Sequence, residues 1–252
     1  MRRLILMMTA MGAAVLLASG VAYALSVQCD GAGDQDPTPG RCVGTTRADQ
    51  ITGTDQPDVI FALNGEDSVS AGAGEDELNG GILGDYLAGD EDDDTYSGGK
   101  GADSLSEFGS SPEGDSGSDL MDGGKGPDYM EGSRGNDILI GGEGDESDPG
   151  STGGVEMYGD QGNDDLYGGP GDDGMEGEQG RDELYGQKGD DFLDAADDET
   201  LDDPDLVDGG DNFDVCVVNE NDIVENCERT QTVDNPTPVT AASAKEDSTS
   251  NR

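Results

Sequence analysis

An acidic residue recurs at every ninth position through most of this 252-residue chain. Counted in nine-residue units from Gly44, with two short breaks, the sixth position holds Asp49, Asp58, Asp67, Asp76, Asp85, Asp94, Asp103, Asp119, Asp128, Asp137, Asp164, Asp173, Asp182, Asp191, Asp205 and Asp214. The two remaining units carry Glu146 and Val155 there, so 17 of 18 sixth positions are acidic, where random placement of the 59 acids would give about four. Carboxylates offered in series are hard oxygen donors, the ligands that calcium takes. Transition metals and conventional serine triads draw on histidine, and the sequence has none. Paired carboxylates also serve glycoside hydrolysis, so a calcium-dependent extracellular carbohydrate-active enzyme is the alternative reading. A fixed period of nine is accounted for by cation binding without any catalytic role.

The elements that position these carboxylates follow from the rest of the unit. The eighth position reads Ile51, Ile60, Val69, Leu78, Leu87, Tyr96, Leu105, Met121, Met130, Leu139, Asp148, Met157, Leu166, Met175, Leu184, Leu193, Val207 and Cys216, and glycine fills the fourth position in 12 units. Each unit is therefore a glycine-rich turn that ends in aspartate, followed by a strand of about three residues with one apolar side chain directed inward. So short a strand is unstable alone, and repetition gives it partners on both sides. Two units would make one coil of a parallel solenoid, with coils about 4.8 Å apart. Aspartates stacked at that spacing repel by roughly 3.5 kcal/mol per pair at an effective dielectric near 20. A divalent cation between adjacent turns turns that repulsion into binding, and calcium is the predicted ligand.

Composition agrees. With 31% hydrophobic and 4% aromatic residues, the chain lacks the apolar area to offset about 1 to 2 kcal/mol per residue of ordering entropy. A net charge of −47 excludes nucleic acid and anionic membranes as partners, because both would be repelled. Arg2 and Arg3, the apolar run from Leu4 to Leu17 and the small-residue pattern at Ala22 to Ala24 read as a secretory signal peptide over 1–24. Cleavage there makes the protein secreted and extracellular with no membrane span. An uncleaved anchor is the competing reading of the same run. In an oxidising compartment the four cysteines, Cys29, Cys42, Cys216 and Cys227, allow three disulfide pairings. Their placement favours two local loops, one stapling each end of the repeats. The chain thus divides into a signal peptide, an amino-terminal cap at 25–43, the repeats at 44–217, a carboxy-terminal cap at 218–229 and a disordered tail at 230–252. Tyr167 and Tyr185, two units apart at the ninth position, are expected to stack on an outer sheet face.

Units such as Gly123-Gly124-Lys125-Gly126-Pro127-Asp128-Tyr129-Met130-Glu131 and Gly159-Asp160-Gln161-Gly162-Asn163-Asp164-Asp165-Leu166-Tyr167 resemble the haemolysin-type calcium-binding repeat of the RTX family. The resemblance covers 44–217. It implies an all-β fold, a right-handed parallel β-roll with two nonapeptides per coil, and calcium held between turns two units apart by sixth-position aspartates and backbone carbonyls. Counting only pairs within uninterrupted runs, it implies about eight calcium ions. The segment 141–158, which keeps the frame but not the motif, is read as one degenerate coil, and Glu107 to Glu113 and Ala195 to Glu199 as surface loops. The expected function is a secreted structural or interaction module, adhesion included, that folds on binding calcium. Its partners would be calcium ions and cell-surface or extracellular polymers.

Overall fold

The computed structural model describes residues 25–29, 40–107, 117–143, 156–196 and 204–233. The chain winds into two parallel sheets that alternate strand by strand. Eleven strands, from Leu25–Gln28 to Arg229–Thr232, form the first sheet, and ten, from Gly40–Val43 to Ile223–Glu225, form the second. In the regular part each strand pairs with the one 18 residues later, as Ser68 with Tyr86 and Glu77 with Thr95. Two nonapeptides per coil is therefore the observed repeat.

Within a unit the sixth, eighth and following first positions face inward. Asp67, Val69 and Ala71 illustrate the pattern, all three buried while Ser68 and Ser70 are exposed. The seventeen eighth-position residues other than Asp148 are at most 1% exposed and form one continuous core between the sheets. That core is one side chain thick per strand. Its upper-bound hydrophobic contribution, about 1.5 to 3 kcal/mol per side chain, falls well short of the ordering entropy of so many residues.

Left-handed backbone is concentrated at the second and fourth positions of the turn. Gly81, Gly99 and Gly124 at the second position have φ of 110°, 105° and 98°, and Gly126 and Gly180 at the fourth have 130° and 134°. A Cβ on Gly126 would stand 1.5 Å from the carbonyl oxygen of Gly101, one coil earlier. The fourth-position glycine thus answers both to the turn and to the close approach of stacked coils.

The strands extend the sheets beyond the repeats at both ends. Cys42 pairs with Ile60 in the second sheet, and Cys29 is buried in the common core, so the first described strand, Leu25–Gln28, already belongs to the coiled sheets. At the other end, Thr230 to Thr232 lie in the last strand, paired with Cys216 to Val218, so the ordered chain runs past 229. That strand has four exposed side chains and needs none buried, because its main chain completes the hydrogen bonding of its neighbour. Finally, 141–158 does not supply a full coil. Ile138 pairs with Asp165 and Tyr129 with Glu156, each a register step of 27 instead of 18. The step is nine residues longer than a regular coil, and the described part of the segment is the end of Ile138–Glu143 and the strand Glu156–Tyr158. Glu146, Asp148 and Val155 lie outside the described residues, as do the signal peptide and 234–252.

Both disulfides join the pairs that their placement favours, Cys29 with Cys42 and Cys216 with Cys227. Tyr167 and Tyr185 stack on the second sheet at 5.0 Å between centroids with planes 4° apart.

Candidate metal centre

All sixteen sixth-position aspartates are buried, at 3% exposure or less. They line two edges of the roll. Asp49, Asp67, Asp85, Asp103, Asp128, Asp173, Asp191 and Asp214 open or immediately precede strands of the first sheet, and the other eight do so in the second.

Aspartates of adjacent coils on one edge are joined by one repeated hydrogen bond. The main-chain N–H of Asp67 donates to Oδ1 of Asp85 at 2.8 Å, that of Asp85 to Asp103 at 2.8 Å, and that of Asp58 to Asp76 at 2.7 Å. Thirteen such Asp-to-Asp steps occur among the described residues. Five of them cross the interruptions of the repeat, linking Asp94 to Asp119, Asp103 to Asp128, Asp137 to Asp164, Asp182 to Asp205 and Asp191 to Asp214. Counting runs in the sequence missed these five, because an insertion is tolerated wherever its ends return to the same pair of turns.

Only one carboxylate oxygen is used by the ladder. The Oδ2 atoms of Asp67, Asp76, Asp85, Asp103, Asp128, Asp164, Asp191 and Asp214 are buried and accept no hydrogen bond. Each would carry charge in a place that water cannot reach, which is costly without a cation. The pKa values register that cost. Desolvation, opposed by the ladder hydrogen bond and reinforced by neighbouring aspartates, pushes Asp76, Asp85, Asp128 and Asp191 up to about 7 and Asp164 to about 8.

Beside six of these oxygens, those of Asp85, Asp103, Asp128, Asp164, Asp191 and Asp214, is a cradle that a side chain would fill, while Ala62 and Ala71 stand at the first positions before Asp67 and Asp76. A Cβ on Gly98 would meet Oδ2 of Asp103 and the carbonyl oxygen of Gly123, each at 2.7 Å. At Gly159 the corresponding atoms are Oδ2 of Asp164 at 2.7 Å and the carbonyl of Gly177 at 2.8 Å, and at Gly80 they are Oδ2 of Asp85 at 2.6 Å and the carbonyl of Gly98 at 2.8 Å. Carboxylate and carbonyl oxygens converge on the first position wherever glycine leaves it free of a side chain. An all-oxygen donor set with unneutralised charge suits a hard divalent cation, and the residues fit calcium.

Two features of this edge chemistry escaped the period of nine. Glu107 occupies a first position, where glycine is the rule, and is buried with Asp94 and Asp119, the oxygens of the three carboxylates lying within 4.8 Å of one another. Tyr96, in the core, accepts a hydrogen bond from Gly89 N–H at 2.8 Å and donates one to the Glu107 carboxylate. The departure was visible in the frame, but the partner of Glu107 was not. At the carboxy-terminal end, Asp222 accepts from Asp205 N–H at 3.2 Å and Glu228 from Asp214 N–H at 2.9 Å. Neither stands at a multiple of nine.

No helix among the described residues is long and apolar enough to cross a membrane. No curated protein matches the chain. The model of the RTX calcium-binding nonapeptide repeat, four copies long, matches at 43–78, 77–105, 113–145, 150–175 and 175–199, more than half of the sequence. With the all-β parallel architecture and the aspartate ladder already established, the chain belongs to the RTX calcium-binding nonapeptide repeat family.

Proposed function

We propose that this protein is a secreted calcium-dependent structural module, an interaction or adhesion scaffold whose roll is completed by calcium held along both edges. The observation that carries this reading is the row of buried Oδ2 atoms with no hydrogen-bond partner, those of Asp85, Asp103, Asp128, Asp164, Asp191 and Asp214 each beside a glycine that leaves room for an ion. Bound calcium would supply the positive charge that these carboxylates lack. The sixth-position aspartates would hold it with the first-position carbonyls of the next coil, and the thirteen ladder steps set an upper range above the eight ions counted from uninterrupted runs. The RTX repeat is a non-catalytic structural module.

Export through a leader at 1–24 supports an extracellular location, where calcium is abundant and disulfides persist. In calcium-poor surroundings the carboxylates would keep the chain expanded, and outside the cell the same residues would close the roll. Cell-surface or extracellular polymers are the proposed partners of the outer sheet faces, where the stacked Tyr167 and Tyr185 present flat rings.

Calcium titration of the chain, followed by circular dichroism and native mass spectrometry, tests this. Calcium-dependent gain of β-structure with several ions bound is expected. Full β-structure in chelator, or fewer than about three ions, would overturn the reading.

A further inference from the structure

The repeat family model ends at residue 199, yet the aspartate ladder continues beyond it and stops on a residue that no nonapeptide supplies. Strand register identifies that residue. Val215 pairs with Arg229, which sets Glu228 against Asp214, and Asp208 pairs with Glu225, which sets Asn226 against Gly209. Arg229 N–H donates to the Asp214 carbonyl at 3.0 Å, and Asp214 N–H to the Glu228 carboxylate at 2.9 Å. Asp85, Asp103 and Ser104 make the same two bonds inside the repeats.

The turn that makes this match is shorter than all the others. In a regular unit the first and sixth positions are five residues apart, as Gly209 and Asp214 are. In the last turn their counterparts, Asn226 and Glu228, are separated only by Cys227. Cys227 is bonded to Cys216, whose side chain fills an eighth position of the core. The disulfide thus does what the missing residues of the turn would do and holds both flanking residues above Asp214. Asn226 has φ of 49°, in the left-handed region that the turns use.

Asp214 is fully buried, and its Oδ2 has no hydrogen-bond partner. It points at the space beside Gly209, where a Cβ would lie 2.7 Å from this oxygen and 2.6 Å from the carbonyl oxygen of Asn226. This is the cradle of the regular repeats, rebuilt with a foreign carbonyl, while Glu228 takes the ladder place of an aspartate on Asp214 N–H.

We infer that Asp214, Asn226 and Glu228 form a terminal calcium site outside the nonapeptide repeats, clamped by the Cys216–Cys227 disulfide. The inference rests on the calcium-binding reading above and extends it to residues that lack the repeat motif. It also makes the disulfide a positioning group for a metal ligand, so oxidation state and calcium affinity at this end are linked.

The test is a count of calcium ions bound to the full chain by native mass spectrometry, beside calcium titration by calorimetry. Glu228→Gln keeps an oxygen for Asp214 N–H but removes the charge, and should bind one ion fewer than the parent with its β-structure retained. An unchanged count overturns the inference. Should Glu228→Gln fail to fold, Cys227→Ala leaves every ladder carboxylate in place and should weaken one ion by about 10- to 100-fold, the effect of losing a group that orients a ligand. Unchanged affinities for every ion in Cys227→Ala overturn it equally. A parent chain that binds no calcium would instead defeat the functional reading as a whole.

Discussion

The main-chain N–H of Asp85 donates to Oδ1 of Asp103, 18 residues later, while the carbonyl of Asp85 accepts from Ser104. One aspartate is thereby gripped by the main chain of its neighbour through one oxygen and left with the other oxygen bare. The ladder bond orients the carboxylate, and the bare oxygen is available to a cation. Separating the two roles is the purpose of Asp103→Asn. The amide oxygen can still accept from Asp85, so the fold with calcium should survive, while the calcium count should fall by at least one. Native mass spectrometry reads the count, and a variant that binds as many ions as the parent would refute the role of Asp103.

Acid should partly replace calcium. The folded pKa values of Asp76, Asp85, Asp128 and Asp191 lie near 7 and that of Asp164 near 8, above the ordinary 3.8. A raised carboxylate pKa means that the folded chain holds more protons than the unfolded one. The resulting penalty is absent below about pH 4, grows as pH rises through 7 to 8, and is constant above. Calcium-depleted protein should therefore show more β-structure by circular dichroism at pH 5 than at pH 8.5. The calcium-loaded protein should show the reverse trend, because protons compete for the same oxygens.

Gly126 and Lys125 are neighbours with opposite tolerances. Gly126→Ala places a methyl 1.5 Å from the Gly101 carbonyl oxygen at a φ of 130° and should cost about 3 kcal/mol or more in the calcium-loaded state. Lys125 forms an exposed ion pair with Glu143, and Lys125→Ala should change stability by less than about 1 kcal/mol. Urea titration of both variants at fixed calcium makes the comparison, and equal losses would contradict the stacking geometry.

Tyr96 bridges Gly89 and the buried Glu107 through its hydroxyl. Tyr96→Phe keeps the ring in the core and removes the bridge from a buried carboxylate and a buried N–H. A loss of about 1 to 3 kcal/mol is expected. Thermal melting in saturating calcium would show it, and a neutral substitution would mean that the bridge contributes nothing.

Removing residues 144–152 should leave the roll intact. The register step from Tyr129 to Glu156 would shorten from 27 to the regular 18. The expected outcome is an unchanged circular dichroism spectrum in calcium and a calcium count within one of the parent. Loss of folding would show that these residues hold the coils together.

The period of nine in aspartate, apolar residue and glycine by itself determined the two-unit coil, the inward face and all sixteen ladder aspartates. It could do so because every coil touches only its two neighbours, so a local pattern repeated along the chain is already the long-range structure. The pairing of Cys29 with Cys42 and of Cys216 with Cys227 was legible for the same reason, since both pairs are close in sequence and sit at opposite ends.

What the tertiary structure decided lies wherever the period breaks. Only the register shows that Asp94 reaches Asp119 and Asp137 reaches Asp164 across insertions, because a loop of any length closes if its ends meet the same turns. It likewise advances by 27 residues across 141–158, where the frame alone suggested a coil. Glu107 and Glu228 are set among the ladder aspartates by folding, one from a glycine position and one from a shortened turn. Spacing in sequence carries no record of either, because each is positioned by a neighbouring coil and not by its own unit.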